Sequence, residues 1–311
     1  MGKEIIQQLL ETEYSDTVSV RKLSLQPKVN QIELGADNVL FNVEDQYIVK
    51  IYPDKPTEDI LQSVDLMREY NSRSIVHLNN QGQLVTIFPE GGSFIVMDLL
   101  KGEHPASPII QSEYKDGIIS ALKKLESFST NTRPQFYNFY EQTFQRLNGC
   151  KKFADPQELD TINQLISAIF PVRKDYMSAE PIVVSHHDFK PENILFFDNK
   201  DYFLLDWDKA VRSYYLDDVA RTTFFFSQTE DNIDSKSVKF FFDSFPQRWK
   251  PSVFLYSLAI TSLDVFSEIY LCTKDPKMGE ALKAMFPKKL QPQFLLECSK
   301  VILNLNEKNL S

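Results

Sequence analysis

The residues best equipped for chemistry lie between positions 186 and 208. Residues 185–196 read SHHDFKPENILF and residues 203–210 read FLLDWDKA, so His186, Asp188 and Asn193 stand as His-x-Asp-x4-Asn and Asp206 follows an apolar run. Phosphoryl transfer asks for a carboxylate on the acceptor hydroxyl and for oxygen ligands to magnesium. Asp188 suits the first task, being ionised at neutral pH with a reference pKa of about 3.9. Base catalysis of this kind contributes roughly 10²–10⁴-fold. Asn193 offers a neutral oxygen and Asp206 a charged one, both acceptable to a hard divalent cation. His186 reads as a brace that holds the loop through hydrogen bonds. The plainer alternative is a β-hairpin with polar turns, since PEN and DNKD also favour turns. Two motifs in this order and spacing favour the chemical reading.

Such residues need rigid elements behind them. Apolar β-type runs flank each segment: Ile182-Val183-Val184 before, Ile194 to Phe197 between, and Tyr202 to Leu205 after. Further upstream, β-type alternation over 17–52 predicts strands VSVRKLSL, NQIEL, VLFNVE and QYIVKIY, with turns at 35–38 and at Glu44-Asp45. Lys50 alternates with apolar residues in QYIVKIY, where an ammonium could reach α- and β-phosphates; any strand lysine facing solvent looks the same. The loop from Gly35 to Asn38 could cover phosphates with its backbone N–H groups, or be a simple β-turn. Strand signals resume in QLVTIF and SFIVMDLL. The segment from Phe94 to Leu100, including Asp98, is read either as an ordinary buried strand or as a hinge whose backbone pairs with a nucleotide base.

Helical periodicity marks 3–14, 113–128, 156–169, 251–273 and 292–305. A helix also starts near Pro56, with Thr57 as its cap and Ile60, Val64 and Met67 on one face. SQTEDNIDSKS (227–237) reads as an exposed connection. The plan is α+β, with a β-rich lobe over 1–98 and a mostly helical lobe over 99–311.

A chain of 311 residues can bury a core in each of two lobes. A net charge of −9 argues against nucleic acid as a partner, because phosphate backbones need clustered Lys and Arg. Cys150, Cys272 and Cys298 are far apart and form no CxxC, which fits a reducing cytosol. The N-terminus lacks the apolar core of a signal peptide, and Ile6 stands where myristoylation of Gly2 would want Ser or Thr. Val253 to Leu271 is apolar but carries Asp264 and Glu268, so it is expected as a buried helix and not a membrane span. A cytoplasmic protein is expected, and its oligomeric state stays open.

VVSHHDFKPENILF followed by FLLDWDKA resembles the aminoglycoside phosphotransferase and choline kinase-like family, within the protein-kinase-like superfamily. The resemblance implies a kinase-like bilobal fold, ATP or GTP with Mg2+, and phosphorylation of a small-molecule hydroxyl. By position it makes Asp188 the catalytic base, Asn193 and Asp206 metal ligands, and Lys50 the phosphate lysine. Asp208 becomes a second acid near the metals, and Asp218 a brace for the catalytic loop. Gly35, Asn38, Asp98 and Leu100 fall on the nucleotide side.

The chain departs from the family pattern in two places. The helix after Lys50 should present an acid to that lysine, and Glu58, Asp59, Asp65 and Glu69 are all candidates. Glu126 replaces the family's helix-ending His. The same loop is similar to the His-Arg-Asp-Leu-Lys-Pro-Glu-Asn loop of Ser/Thr protein kinases, where Lys190 would hold the γ-phosphate. Against that reading, the chain has no Asp-Phe-Gly, and His187 replaces the arginine. A nucleotide-binding adaptor without catalysis is a third possibility. The acceptor could be cationic, held by acids or by cation–π contact with aromatics in 103–115, 208–215 or 224–249.

Overall fold

The computed structural model describes residues 10–14, 29–34, 39–88, 92–132, 134–169, 181–197, 201–246, 248–274, 298, 301–302 and 305. They form two compact units, one of Met1–Gly102 with Asp206–Asp208 and one of Glu103–Leu205 with Lys209–Ser311. The boundary drawn after residue 98 falls inside the first unit, where the Leu99 N–H still donates to the Gln46 carbonyl at 2.7 Å.

The first unit is an antiparallel sheet with one long helix. Its elements are β1 (Val29–Leu34), β2 (Val39–Val43), β3 (Tyr47–Tyr52), α1 (Thr57–Asn71), β4 (Thr86–Ile87) and β5 (Ser93–Asp98), with strand order β1-β2-β3-β5-β4. The β2–β3 turn places Glu44 and Asp45 at φ 58° and 52°, the paired left-handed geometry that matches strand twist in a tight hairpin. Asn42 supports it by accepting the Asp45 N–H at 3.0 Å. Val49 and Ile51 alternate into a core with Phe41, Val43, Tyr47, Phe94 and Val96. Lys50 and Tyr52 therefore share the opposite face of β3.

Helix α1 buries Ile60, Val64 and Met67, as the periodicity predicts. Thr57 does not cap it: Pro56 precedes the helix, Thr57 is its first residue, and no side-chain cap bond forms. QLVTIF yields only the two-residue β4. The predicted strand VSVRKLSL and the loop 35–38 lie outside the described residues, as does most of 3–14 and 292–305; residues 10–13, 298 and 301–302 are helical.

The second unit contains α2 (Lys115–Ser127), α3 (Phe139–Cys150), α4 (Pro156–Ile169), α5 (Tyr215–Ser227), α6 (Ser235–Asp243) and α7 (Pro251–Lys274). Two small antiparallel pairs join them, β6 (Ile182–Ser185) with β9 (Val211–Tyr214) and β7 (Ile194–Phe196) with β8 (Tyr202–Leu204). Helices α2, α4 and α7 follow the predicted periodicity. The run 227–237 is not an exposed connection throughout: Ser227, Gln228 and Ile233 are buried, and Asp234 caps α6 by accepting the Ser237 N–H at 2.8 Å. Its polar residues are a helix-start signal.

Helix α7 is long and apolar enough to cross a membrane, yet 89% of that stretch is buried inside the protein, packed against α3, α4 and α5. Its Asp264 is buried and paired with Arg221 of α5 at 3.1 Å and Arg146 of α3 at 2.8 Å, while Thr143 donates to it at 3.0 Å. These bonds tie three helices together. Arg221→Met leaves a buried carboxylate short of a partner, and urea denaturation should show a loss of about 3 kcal/mol; an unchanged midpoint would show that the pair does not hold the helices.

Candidate active site

In the second unit, β6 delivers the chain into a loop over 186–190, then a single 3₁₀ turn at Pro191–Asn193, then β7. Three interactions hold this loop. The first is Asp218, in the first turn of α5, whose two carboxylate oxygens accept successive backbone N–H groups: His186 at 3.2 Å and His187 at 3.0 Å. To present both N–H groups to one carboxylate the chain turns through His187 at φ 60°, a left-handed geometry uncommon outside glycine. The second is fully buried His186, which donates from Nε2 to the Leu205 carbonyl at 2.7 Å and accepts the Asp188 N–H at Nδ1 at 3.3 Å. One neutral tautomer satisfies both bonds. The third is Phe189, buried in the core against Phe226. His104, which the sequence did not single out, donates to the Ile194 carbonyl at 2.8 Å and so fastens the exit into β7.

The loop brings Asp188, Lys190 and Asn193 together. Asn193 Nδ2 donates to the Asp188 carbonyl at 2.8 Å and to its Oδ2 at 3.1 Å, which leaves the Asn193 amide oxygen available as a donor to a cation. Lys190 Nζ stands 3.1 Å from the same Oδ2. Burial works to raise the Asp188 pKa, but the nearby charges of Lys190, Lys209 and Arg221 outweigh it and hold the acid below its ordinary value. Asp188 is thus a carboxylate whose charged form the surrounding cations favour, with one oxygen fixed by two donors. Lys209 pairs with Glu268 of α7 at 3.2 Å, and Glu268 and Asp188 together overcome its burial and raise its pKa. His187 lies edge-on to Tyr137 and Phe139, and burial pushes its pKa well below 6.5. It stays neutral and supplies no cation for a phosphorylated loop.

In the first unit, Lys50 is buried and ion-paired to Asp206 Oδ1 at 2.8 Å and to Asp208 Oδ2 at 2.7 Å. Burial would lower its pKa, but Asp206, Tyr52 and Asp208 raise it well above the usual range. Asp206 has φ 55°, so the residue that follows the apolar run turns left-handed. The acid expected from α1 is not the partner found: Glu58 and Asp59 are exposed, and Asp65 pairs with Arg68 at 2.8 Å.

At the end of β5, Asp98 Oδ1 accepts from His77 Nε2 at 2.8 Å, and the Asp98 N–H donates to the Ile75 carbonyl. Leu100 lies beyond the paired strand, and Gly35 and Asn38 lie outside the described residues. Among the described residues no cluster of three or more His, Cys, Asp or Glu forms a metal cage. The Asn193 amide oxygen in the second unit and the partly exposed Asp206 carboxylate in the first are each an oxygen type that magnesium accepts.

Most of the described aromatics from Phe224 to Trp249 pack into the core, while Phe240 and Phe242 are half-buried. Phe224, Phe226, Phe241, Phe245 and Trp249 are buried, and the chain's own Arg248 stacks on Tyr215 and Trp249. Glu126, in place of the family's histidine, pairs with Arg248 at 2.6 Å.

Residues 28–241 match the family model described as the phosphotransferase enzyme family. No curated protein sequence matches the chain. Solved structures with similar folds include an ethanolamine kinase of Plasmodium vivax, 14% identical with a TM-score of 0.65, over 96% of this chain and 88% of that one. A spectinomycin phosphotransferase in complex with ADP and spectinomycin is 13% identical with a TM-score of 0.61, over 98% of this chain and 99% of that one. An amicoumacin kinase in complex with AMP-PNP, Ca2+ and Ami is 12% identical with a TM-score of 0.62, over 100% of this chain and 98% of that one.

Burial lifts the Asp218 pKa to about 6 in spite of the N–H groups it accepts. The folded value exceeds the unfolded value of about 3.9, so this group's stabilisation is complete below that pH. It is lost as pH rises through about 6. The ionised clamp orders the loop while costing stability. Activity should therefore fall as pH drops below about 6. Asp218→Asn should be less active at pH 8 and lack that inflection; an inflection that persists in the variant assigns it elsewhere.

Proposed function

The chain belongs to the phosphotransferase enzyme family, and we propose that it is a small-molecule kinase that moves the γ-phosphate of ATP or GTP to an alcohol hydroxyl with magnesium. The observation that carries this reading is the state of Asp188. Its Oδ2 is pinned by Asn193 and Lys190, the charges of Lys190, Lys209 and Arg221 keep it ionised, and its backbone is locked by the Asp218 clamp. A carboxylate so placed orients an acceptor hydroxyl and takes its proton late in transfer, when the oxygen has become acidic. Held rigidly, it spends no rearrangement at the moment of reaction. Lys190, bonded to the same carboxylate, carries positive charge beside the acceptor oxygen.

Asn193 and Asp206 are the magnesium ligands by their place in the motif, and Lys50 is the lysine for the phosphates. Magnesium, when bound, neutralises the charge that develops on the phosphate oxygens. The ethanolamine, spectinomycin and amicoumacin kinases of similar fold take small molecules, and two of them were solved with adenine nucleotides, which supports a nucleotide donor and a small-molecule acceptor here.

Asp188→Asn is expected to lower kcat by roughly 10²–10⁴-fold while nucleotide still binds; full turnover would remove Asp188 from the mechanism. Asp206→Ala should abolish the magnesium dependence of nucleotide binding measured by calorimetry. A nucleoside-diphosphate release screen over aminoglycosides, amino alcohols, sugars and nucleosides, with Asp188→Asn as blank, should identify the acceptor class. Label transferred from ATP to protein substrates instead would establish a protein kinase.

A further inference from the structure

The phosphate lysine is held in an unexpected way. Among the described residues the ion pairs found for Lys50 are with Asp206 and Asp208, while on α1 Glu58 and Asp59 are exposed and Asp65 binds Arg68. The two aspartates differ in their surroundings. The Asp206 side chain is 36% exposed and that of Asp208 15%. Asp208 gives Oδ2 to Lys50 at 2.7 Å and Oδ1 to Lys55 at 3.1 Å, and the Tyr52 hydroxyl lies 3.4 Å from Oδ1. Lys55 Nζ also donates to the Asp208 main-chain carbonyl at 3.2 Å. Lys55 therefore grips Asp208 by side chain and backbone at once. The Tyr52 ring sits beside both ammonium groups, 5.2 Å from Lys50 Nζ and 5.6 Å from Lys55 Nζ.

We infer that Asp208, not an acid of α1, is the standing partner that positions Lys50 for the nucleotide phosphates, and that Lys55 is the residue that positions Asp208. This rests on the kinase reading above. The physical need is plain. Asp206 is wanted by a divalent cation, and a lysine whose only acid is Asp206 would compete with that cation for it. With Asp208 fixed, Lys50 keeps an acid when Asp206 turns to the metal. Lys55 makes this possible by neutralising the second oxygen of Asp208 and fixing its orientation, so that Oδ2 stays on Lys50. Two lysines and two carboxylates leave the cluster neutral, and Lys50 remains charged because it is never without a carboxylate. Neither Lys55 nor Asp208 needs to touch substrate; both act through Lys50.

The test is the gain in nucleotide affinity on adding magnesium, read by titrating the full chain with a fluorescent ATP analogue without acceptor. In wild-type protein magnesium tightens binding. Lys55→Met and Asp208→Asn should each shrink that gain by about 10-fold, with the double variant no worse than the poorer single one, because the two residues act as a unit. Lys55→Arg should stay within about twofold of wild type, which a loss of folding in Lys55→Met would not explain. Glu69→Gln and Asp65→Asn should leave the gain unchanged. An unchanged gain in Lys55→Met, additive losses in the double variant, or a loss in Glu69→Gln equal to that of Asp208→Asn would overturn the inference while the kinase reading stands. Wild-type protein that binds no nucleotide overturns both.

Discussion

One carboxylate holding two consecutive backbone N–H groups is the constraint on which the loop over 186–190 depends. Asp218 takes the N–H groups of His186 and His187, and a chain that offers both to one acceptor must bend at His187 into the left-handed region. That bend directs His186 inward to the Leu205 carbonyl and turns Asp188 back over Asn193. The position of Asp188 is therefore set two residues upstream of it and by a residue of a different element. The clamp is buried, where an ionised carboxylate is costly, and the donors do not fully offset that cost. Functional geometry is kept here at the expense of stability, as strained sites commonly are.

Charge balance extends the constraint through the second unit. Asp188 lies among Lys190, Lys209 and Arg221, which keep it ionised in a buried place. Two of those cations are balanced in turn by α7, where Glu268 holds Lys209 and Asp264 holds Arg221 together with Arg146. The two acids that interrupt an otherwise apolar helix are thus counter-charges to the catalytic loop and its supports. The first unit solves a similar problem with fewer residues: Lys50 and Lys55 share Asp208, and Lys50 also reaches Asp206.

Local chemistry was readable where each residue's role depends on near neighbours in the chain. The β2–β3 hairpin announces itself through Glu44-Asp45, and α1 through the spacing of Ile60, Val64 and Met67. Asp188, Lys190 and Asn193 come together because they lie on one loop and its 3₁₀ turn. Helix α6 was hidden because its polar cap resembles a solvated linker until Val238 and Phe241 are seen to be buried. His104 gave no signal at all, since a lone histidine acquires meaning only when its ring reaches a carbonyl far along the chain. Of the aromatics in 224–249, composition does not say which face the core: Phe224, Phe226 and Phe241 do, while Phe240 and Phe242 are half-buried.

The sequence by itself determined the family, the α+β plan, and which side chains the loop from His186 to Asn193 gathers, because residue type and short spacing are enough to define them. Tertiary structure decided the partners. Lys50 could have met any of four acids on α1, yet its carboxylates come from a segment more than 150 positions later in the chain. Asp264 and Glu268 looked like blemishes in an apolar helix until Arg221, Arg146 and Lys209 were brought to them. A charge finds its partner through space, and order along the chain carries no record of which distant group burial will bring within 3 Å or so.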